Sequence, residues 1–369
     1  MKSKLKKIAA YIPIPSLVFI AVAIFSAIIH VISLISVPFA DFFNLRIASA
    51  FRFLLAKITG VIPFSLAEIL IILLPIWLFL IVFFAVRLIK ADKVKQIRFL
   101  ASLFATLSFF YSSFVFTFAT AYRGTPLEEK LSLQREKLTA DDISFALTAV
   151  TTELFKLADG MEYAESGLSV QPYDFSELNK KLNTAYKTAA GKYEFLNGFG
   201  SNVKEILLSE PMTYTHISGV YTFFTGEANV NVNYPDYVIP FTVAHEMAHQ
   251  RGIAREDEAN FVAFLVCLES EDNYIKYSAY FNIFEYLFSS LCRADIEKAR
   301  AFADTLPGGI KGEINGYSAF FEKYSDNVAA DISDKINDAY LITQGQTAGV
   351  RSYGLVTELA VAYYKALQP

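Results

Sequence analysis

His245-Glu246-Met247-Ala248-His249 is an H-E-x-x-H pentapeptide in a stretch that reads as helix. On a helix, residues four apart lie on one face, so His245 and His249 can present two imidazole nitrogens to one zinc ion. Glu246, beside the first histidine, is placed as general base for a water whose pKa the metal lowers toward neutrality. The chain has only 4 histidines, so the pairing does not come from a histidine-rich composition. A surface helix with two solvated histidines would carry the same pentapeptide. The residues that follow argue against it.

They run Gln250-Arg251-Gly252-Ile253-Ala254-Arg255-Glu256-Asp257-Glu258-Ala259-Asn260. Gly252 can take the left-handed conformation that ends a helix and turn the chain back toward the metal within a few residues. Catalytic zinc sites use three protein ligands and leave a position open, so a third ligand is expected soon after. Glu256 opens an apolar helical run, and Asn260 lies one turn further on the same face, placed to hydrogen-bond a ligand histidine. Glu258 points about 160° away from that face and is the weaker candidate, with Asp257 weaker still. Without the paired histidines, the acidic triplet would read as a solvated first turn complementing the helix dipole.

Residues 240–264, from Pro240-Phe241-Thr242-Val243-Ala244 through the pentapeptide to Phe261-Val262-Ala263-Phe264, resemble the core of a bacterial family of membrane proteins of unassigned role. That family is grouped with the zincin-like, H-E-x-x-H zinc-dependent peptidases. The E-x-x-A-N spacing at Glu256–Asn260 is similar to the E-x-x-x-D helix of the thermolysin-like gluzincins, which implies Glu256 as the third ligand. Asn260 departs from the aspartate of that pattern. The interval from His249 to Glu256 is also shorter than in most gluzincins and closer to the compact metzincin layout. The resemblance extends over nearly the whole chain, including three predicted spans ahead of the catalytic part.

Composition agrees with a membrane protein carrying one water-exposed domain. The chain has 369 residues, 54% of them hydrophobic and 19% charged, a low charge content for a wholly soluble protein. Asp41, Glu68 and Asp92 are the only acids in residues 1–121, so nearly all the negative charge lies in the C-terminal part. An acidic surface of this kind argues against nucleic acid as a partner.

Residues 8–40 carry no formal charge, and Ser16 to Val37 is long enough to cross a bilayer after Lys2, Lys4, Lys6 and Lys7. A cleaved secretory signal would have a shorter apolar region and a small-residue cleavage site, so a retained anchor is expected. Ile69 to Val86 and Phe99 to Ala121 give two more spans, separated by the basic loop Arg87, Lys90, Lys93, Lys95, Arg98. Positive residues favour the cytoplasmic side, which sends everything after Tyr122 outward. Phe42 to Pro63 interleaves Arg46, Arg52 and Lys57 with apolar residues, reading as an interfacial amphipathic helix or an extracytoplasmic loop. His30, inside the first span, reads as a bundle-facing polar residue.

After Arg123 the pattern is that of a largely helical domain. Thr139-Ala140-Asp141-Asp142 opens one apolar-periodic run that stops at Gly160, and Asp174-Phe175-Ser176-Glu177 another that ends near Gly191. Pro240 suits the first turn of the H-E-x-x-H helix. Gly226 to Asn233 alternates small or apolar with polar residues and reads as a strand with one wet face. In zincins an edge strand beside the active-site helix pairs with extended substrate, and this segment resembles it. Ala228, Asn229, Val230 and Asn231 are therefore candidate substrate-binding residues by strand addition, against an ordinary sheet strand with a solvated Asn ladder. Near the C-terminus, Arg351 and Tyr353 are candidates for stabilising a tetrahedral oxyanion. His216 reads as structural rather than as a late ligand or oxyanion helper, and Cys267 and Cys292 as buried thiols without metal spacing, in preference to a disulfide.

The expected architecture is a membrane-anchored helical part over residues 1–121, followed by a mainly helical α+β zincin-like domain over residues 122–369. The expected function is a multi-pass cell-membrane zinc metallopeptidase with its C-terminal domain extracytoplasmic. His245, His249 and Glu256 would bind Zn2+, and Glu246 would act as general base. Its partners would be the lipid bilayer and a peptide or protein substrate outside the cytoplasm. The alternative is a non-catalytic, zinc-stabilised binding or sensing protein, which would not require Glu246. The charged run Arg251 to Glu258 argues against an intramembrane protease.

Overall fold

An uncharged apolar run forms the first helix, α1 (Ile14–Ile35), whose prolines sit in a first turn that has no intrahelical donors to lose. The computed structural model describes residues 11–325, 327–346, 349 and 355–368. Short α2 (Val37–Phe42), a π-helical turn over Phe43–Ala48 and α3 (Ser49–Gly60) follow. Two further apolar helices, α4 (Leu66–Leu88) and α5 (Lys93–Thr117), are capped by the side chains of Ser65 and Asp92. Helices α1, α4 and α5 have 22, 23 and 25 residues and are each long and apolar enough to cross a membrane. Their packing inverts the water-soluble pattern. Ser16, Ser26 and Ser33 of α1 and Ala101, Ala105, Ser108 and Ser112 of α5 are buried, whereas Phe25, Phe79 and Phe104 are more than half exposed. Small residues inside and large apolar residues outside suit helices that pack in lipid.

Of the two readings of Phe42 to Pro63, the helical one holds as far as Gly60, but Arg52 does not point to an interface. It is fully buried, and its guanidinium donates to the carbonyls of Asn44 (2.9 Å), Thr117 (2.6 Å) and Arg251 (3.3 Å). Asn44 donates to the carbonyl of Gly252 at 3.0 Å. Further ties cross residue 121, where the anchor was expected to end. The Glu227 carboxylate accepts the N–H groups of Leu66 and Ala67 that open α4. Glu68 accepts those of Leu207 and Leu208, and Asp41 holds Thr125. The N-terminal part and the rest of the chain thus share hydrogen-bonded, buried polar contacts.

Beyond short α6 (Leu127–Lys130), the two capped runs form α7 (Ala140–Ala158), with a Thr139–Asp142 capping box, and α8 (Phe175–Lys192), capped by Asp174. A three-stranded sheet is made of β1 (Lys204–Glu205), β2 (Gly219–Thr222) and β3 (Glu227–Val230), with α9 (Ser209–Thr213) between β1 and β2. Its order is β1-β3-β2, with β1 parallel and β2 antiparallel to β3. This corrects the expectation of a substrate-pairing edge at Ala228, Asn229, Val230 and Asn231. That strand is central, paired on both sides and buried throughout. Its asparagines do not form a solvated ladder either: Asn229 Nδ2 donates to the Val220 carbonyl (3.1 Å) and Asn231 Nδ2 to the Ile217 carbonyl (3.1 Å). The edge is β2.

Two helices lie at the centre of the core, α10 (Val238–Gln250) and α11 (Glu256–Leu268). Every residue of α10 is buried, between β2 and β3 on one side and α8, α11 and the long α12 (Asn273–Ala294) on the other. Helices α13 (Ile296–Asp304), α14 (Gly308–Glu322), α15 (Val328–Thr343) and α16 (Val356–Ala366) complete the chain.

Candidate metal centre

Helix α10 carries the H-E-x-x-H residues, and its placement follows from polar groups that serve its backbone. Tyr186 donates to the Ala244 carbonyl (2.6 Å), and Ser278 accepts the N–H of Phe241 (3.1 Å) in the first turn, where Pro240 has no donor. The helix ends at Gly252, whose φ of +89° is the left-handed conformation expected there. Ile253 N–H closes the reversal onto the Ala248 carbonyl at 3.1 Å. The same turn orients His249: its Nδ1 lies 2.7 Å from the Ile253 carbonyl, which accepts a hydrogen bond from it and so turns Nε2 toward the other two residues of the cluster.

Four residues later, Glu256 opens α11 and brings its Oε2 to 3.3 Å from both His245 Nε2 and His249 Nε2. Among the described residues, these three form the one cluster of His, Cys, Asp or Glu placed to hold a metal ion. Two features fit a zinc ion. Tetrahedral zinc with bonds of about 2.0–2.1 Å separates its ligand atoms by about 3.3–3.4 Å, which is the spacing here. Glu256 Oε2, although that close to both rings, is buried and makes no hydrogen bond of normal geometry to either. Lone pairs converging on one point have that arrangement.

Burial opposes charge on Glu256, yet the two histidines hold its carboxyl well below the usual range. Burial likewise opposes charge on His249, but Glu256 and Glu246 outweigh it and push the imidazole up, whereas burial and His249 lower His245. Asn260 faces His245 closely enough to act on its charge, but His245 Nδ1 has no hydrogen bond of normal geometry. The Asn260 amide instead donates to the Tyr286 hydroxyl at 3.3 Å.

Glu246 points into the cleft next to the cluster. Burial pushes its carboxyl up to about 8, it accepts the backbone N–H of Tyr221 in β2, and its Oε2 has no partner. Gly219 makes this possible: a Cβ there would lie 2.6 Å from Glu246 Oε1. The other acids of the triplet are used structurally. Glu258 accepts Leu127 N–H (3.0 Å) and Arg255 Nη1 (2.9 Å), and Asp257 pairs with Arg135 at 2.7 Å.

The remaining candidates lie elsewhere. His216 places Nε2 2.7 Å from the Tyr324 carbonyl, and His30 is hydrogen-bonded to Tyr111. Cys267 is buried and Cys292 half-buried, both as free thiols. Arg351 and Tyr353 fall outside the described residues. Residues the sequence reading did not single out line the cleft instead: Gly219 and Tyr221 of β2, Glu285 and Tyr286 of α12, and Ile332, Ile336 and Tyr340 of α15. The last three recur every fourth residue, a spacing visible in the sequence but equally that of a core face.

These features define a class: a mostly helical protein with three long apolar N-terminal helices and a buried His-His-Glu cluster beside a second buried glutamate. The chain belongs to a family described as proteins of unknown function (DUF3810), matched over residues 43–361. The match begins at the π-helical turn whose Asn44 donates to the Gly252 carbonyl just beyond α10. No curated protein and no solved structure matches the chain.

Proposed function

We propose that this protein is a membrane-anchored zinc metallopeptidase whose catalytic part lies outside the cytoplasm. The observation that carries the proposal is the convergence of His245 Nε2, His249 Nε2 and Glu256 Oε2 with Glu246 beside them, one of whose carboxylate oxygens, Oε2, is buried without a hydrogen bond. A zinc ion held there would polarise a scissile carbonyl and lower the pKa of water toward neutrality. Glu246, fixed by Tyr221 N–H and accommodated by Gly219, would accept the proton of the attacking water and pass it to the leaving amine. Edge strand β2 borders the cleft and offers backbone donors and acceptors to an extended peptide. Tyr286 and Tyr340 line the cleft with hydroxyl groups.

Membrane anchoring is supported by the inverted packing of α1 and α5 and by the exposed apolar surface of α4. Orientation is supported by connectivity: the start of α1 and the basic turn between α4 and α5 lie at the ends of these helices away from the metal site, where positive charge favours the cytoplasm. A zinc-stabilised binding module is the rival reading. Glu246 weighs against it, because a structural site needs no buried carboxylate with an unsatisfied oxygen beside its ligands.

Full-length protein in detergent, incubated with a mixed peptide library, is expected to generate new termini detectable by mass spectrometry. Chelation should stop the cleavage and added zinc restore it. A zinc-loaded protein that cuts nothing across broad libraries would leave the binding module as the better reading.

A further inference from the structure

The cleft over the metal cluster has two lobes that meet at Gly219, His245 and Glu246. One, of about 740 Å³, is walled by aromatic and aliphatic side chains such as Phe118, Phe223 and Ile336. The other, of about 600 Å³, is different in kind. Helix α12 turns one face to it, with Asn282, Glu285, Tyr286 and Ser289 at i, i+3, i+4 and i+7. Glu285 is half-buried there and opens onto the cavity.

We infer that this lobe is a specificity pocket for a substrate side chain ending in an ammonium or guanidinium group, with Glu285 as its counter-charge. The inference rests on the metallopeptidase reading for the word substrate, but the pocket itself is defined by its walls. Among the described residues, no lysine or arginine lines it. The comparison with other buried acids is informative. Glu256 faces two histidines, Asp257 has Arg135, Glu258 has Arg255 and a backbone N–H, and Glu227 and Glu68 each accept two backbone N–H groups. Among the described residues, Glu285 has only the Tyr237 hydroxyl, at 3.3 Å. Burial, reinforced by Glu313 behind it, pushes its carboxyl up to about 8. A half-buried carboxylate kept without a cation at the wall of a cavity next to the His-His-Glu cluster is a candidate ligand site. Cavities of a few hundred cubic ångströms hold a long side chain together with water. An incoming ammonium would supply the missing charge, whereas an aliphatic chain of equal length would leave the carboxyl as it is.

The test uses zinc-loaded full-length protein in detergent and four acetylated alanine-based heptapeptides differing only in the central residue: Lys, Arg, norleucine or Glu. Binding is measured by calorimetry on the Glu246→Gln protein, which should not turn the peptides over. The Lys and Arg peptides are expected to bind about tenfold or more tighter than the norleucine peptide, the size of effect a buried charged hydrogen bond supplies. Glu285→Gln, made in the same background, should erase that difference, and Glu285→Lys should shift the preference to the Glu peptide. Norleucine binding as tightly as Lys, no measurable binding of the Lys peptide, or an unchanged preference after Glu285→Gln would each overturn the inference. If Glu285→Gln does not fold, the Lys-against-norleucine comparison on the unaltered pocket still decides. Cleavage by the wild type separates the two readings. Amine-selective binding without any cleavage would keep the pocket and remove the peptidase. Cleavage that ignores the amine and is unaffected by Glu285→Gln would keep the peptidase and remove the pocket.

Discussion

Glu246→Gln is expected to lower peptide hydrolysis by roughly 100-fold or more, the usual cost of losing a positioned general base, while leaving the metal ligands in place. The substitution preserves size, so the glutamine fits the space that Gly219 leaves and can still accept the Tyr221 N–H. What disappears is the carboxylate, the only group at that position able to take a proton from water. The comparison is kcat/KM for one cleaved peptide, with zinc content measured on the same preparations. A variant that hydrolyses peptide as fast as wild type would remove Glu246 from the mechanism.

The second large effect lies outside the cleft. Arg52→Met should destabilise the protein by about 3 kcal/mol or more, because it leaves three buried carbonyls without the donor they share. Burial pushes the Arg52 guanidinium down to about 10, and among its hydrogen-bond partners there is no carboxylate. Its charge is met by the carbonyl ends of two helices, Thr117 at the end of α5 and Arg251 at the cap of α10. Arg251 stands beside it, stacked 4.0 Å over the Tyr186 ring and donating to Met247, Asn197 and Phe199 carbonyls. Together they fix the turn at Gly252 that orients His249. Arg52→Met should therefore lower both the thermal midpoint in detergent and the zinc occupancy. Arg52→Lys should recover little, since an ammonium cannot reproduce the planar fork. An unchanged midpoint and full zinc content would show that the anchor does not support the metal helix.

The His-His-Glu cluster was legible in the sequence because its parts are local. His245 and His249 are one turn apart, Gly252 announces the reversal, and Glu256 begins the next helix, so propensity and spacing fix most of the geometry. The helices opened by Thr139 and Asp174, and the three long apolar helices, were legible for the same reason. The strand over Glu227–Val230 was also readable as a strand, but not its position. Pairing with β1 and β2 on its two sides is non-local, and alternation of Asn with apolar residues cannot tell a solvated face from one whose amides are satisfied inside the protein. Arg52 misled for a related reason, since a basic residue among apolar ones looks interfacial until its carbonyl partners, 65 and 199 residues away, are known. The face of α12 that carries Glu285 gave no signal at all, because its chemistry exists only once α10 and α14 stand opposite.

The central claim is that this chain builds a three-ligand zinc site, and metal content tests it most directly. Full-length protein purified in detergent, loaded with zinc and dialysed, is expected to retain about one zinc per chain, as a complete three-ligand site should. His245→Ala and His249→Ala should each lose most of it, and Glu256→Gln should bind it more weakly because a neutral amide replaces a charged oxygen. Wild-type protein holding less than about a tenth of an equivalent after loading, or histidine variants holding as much as wild type, would contradict the account.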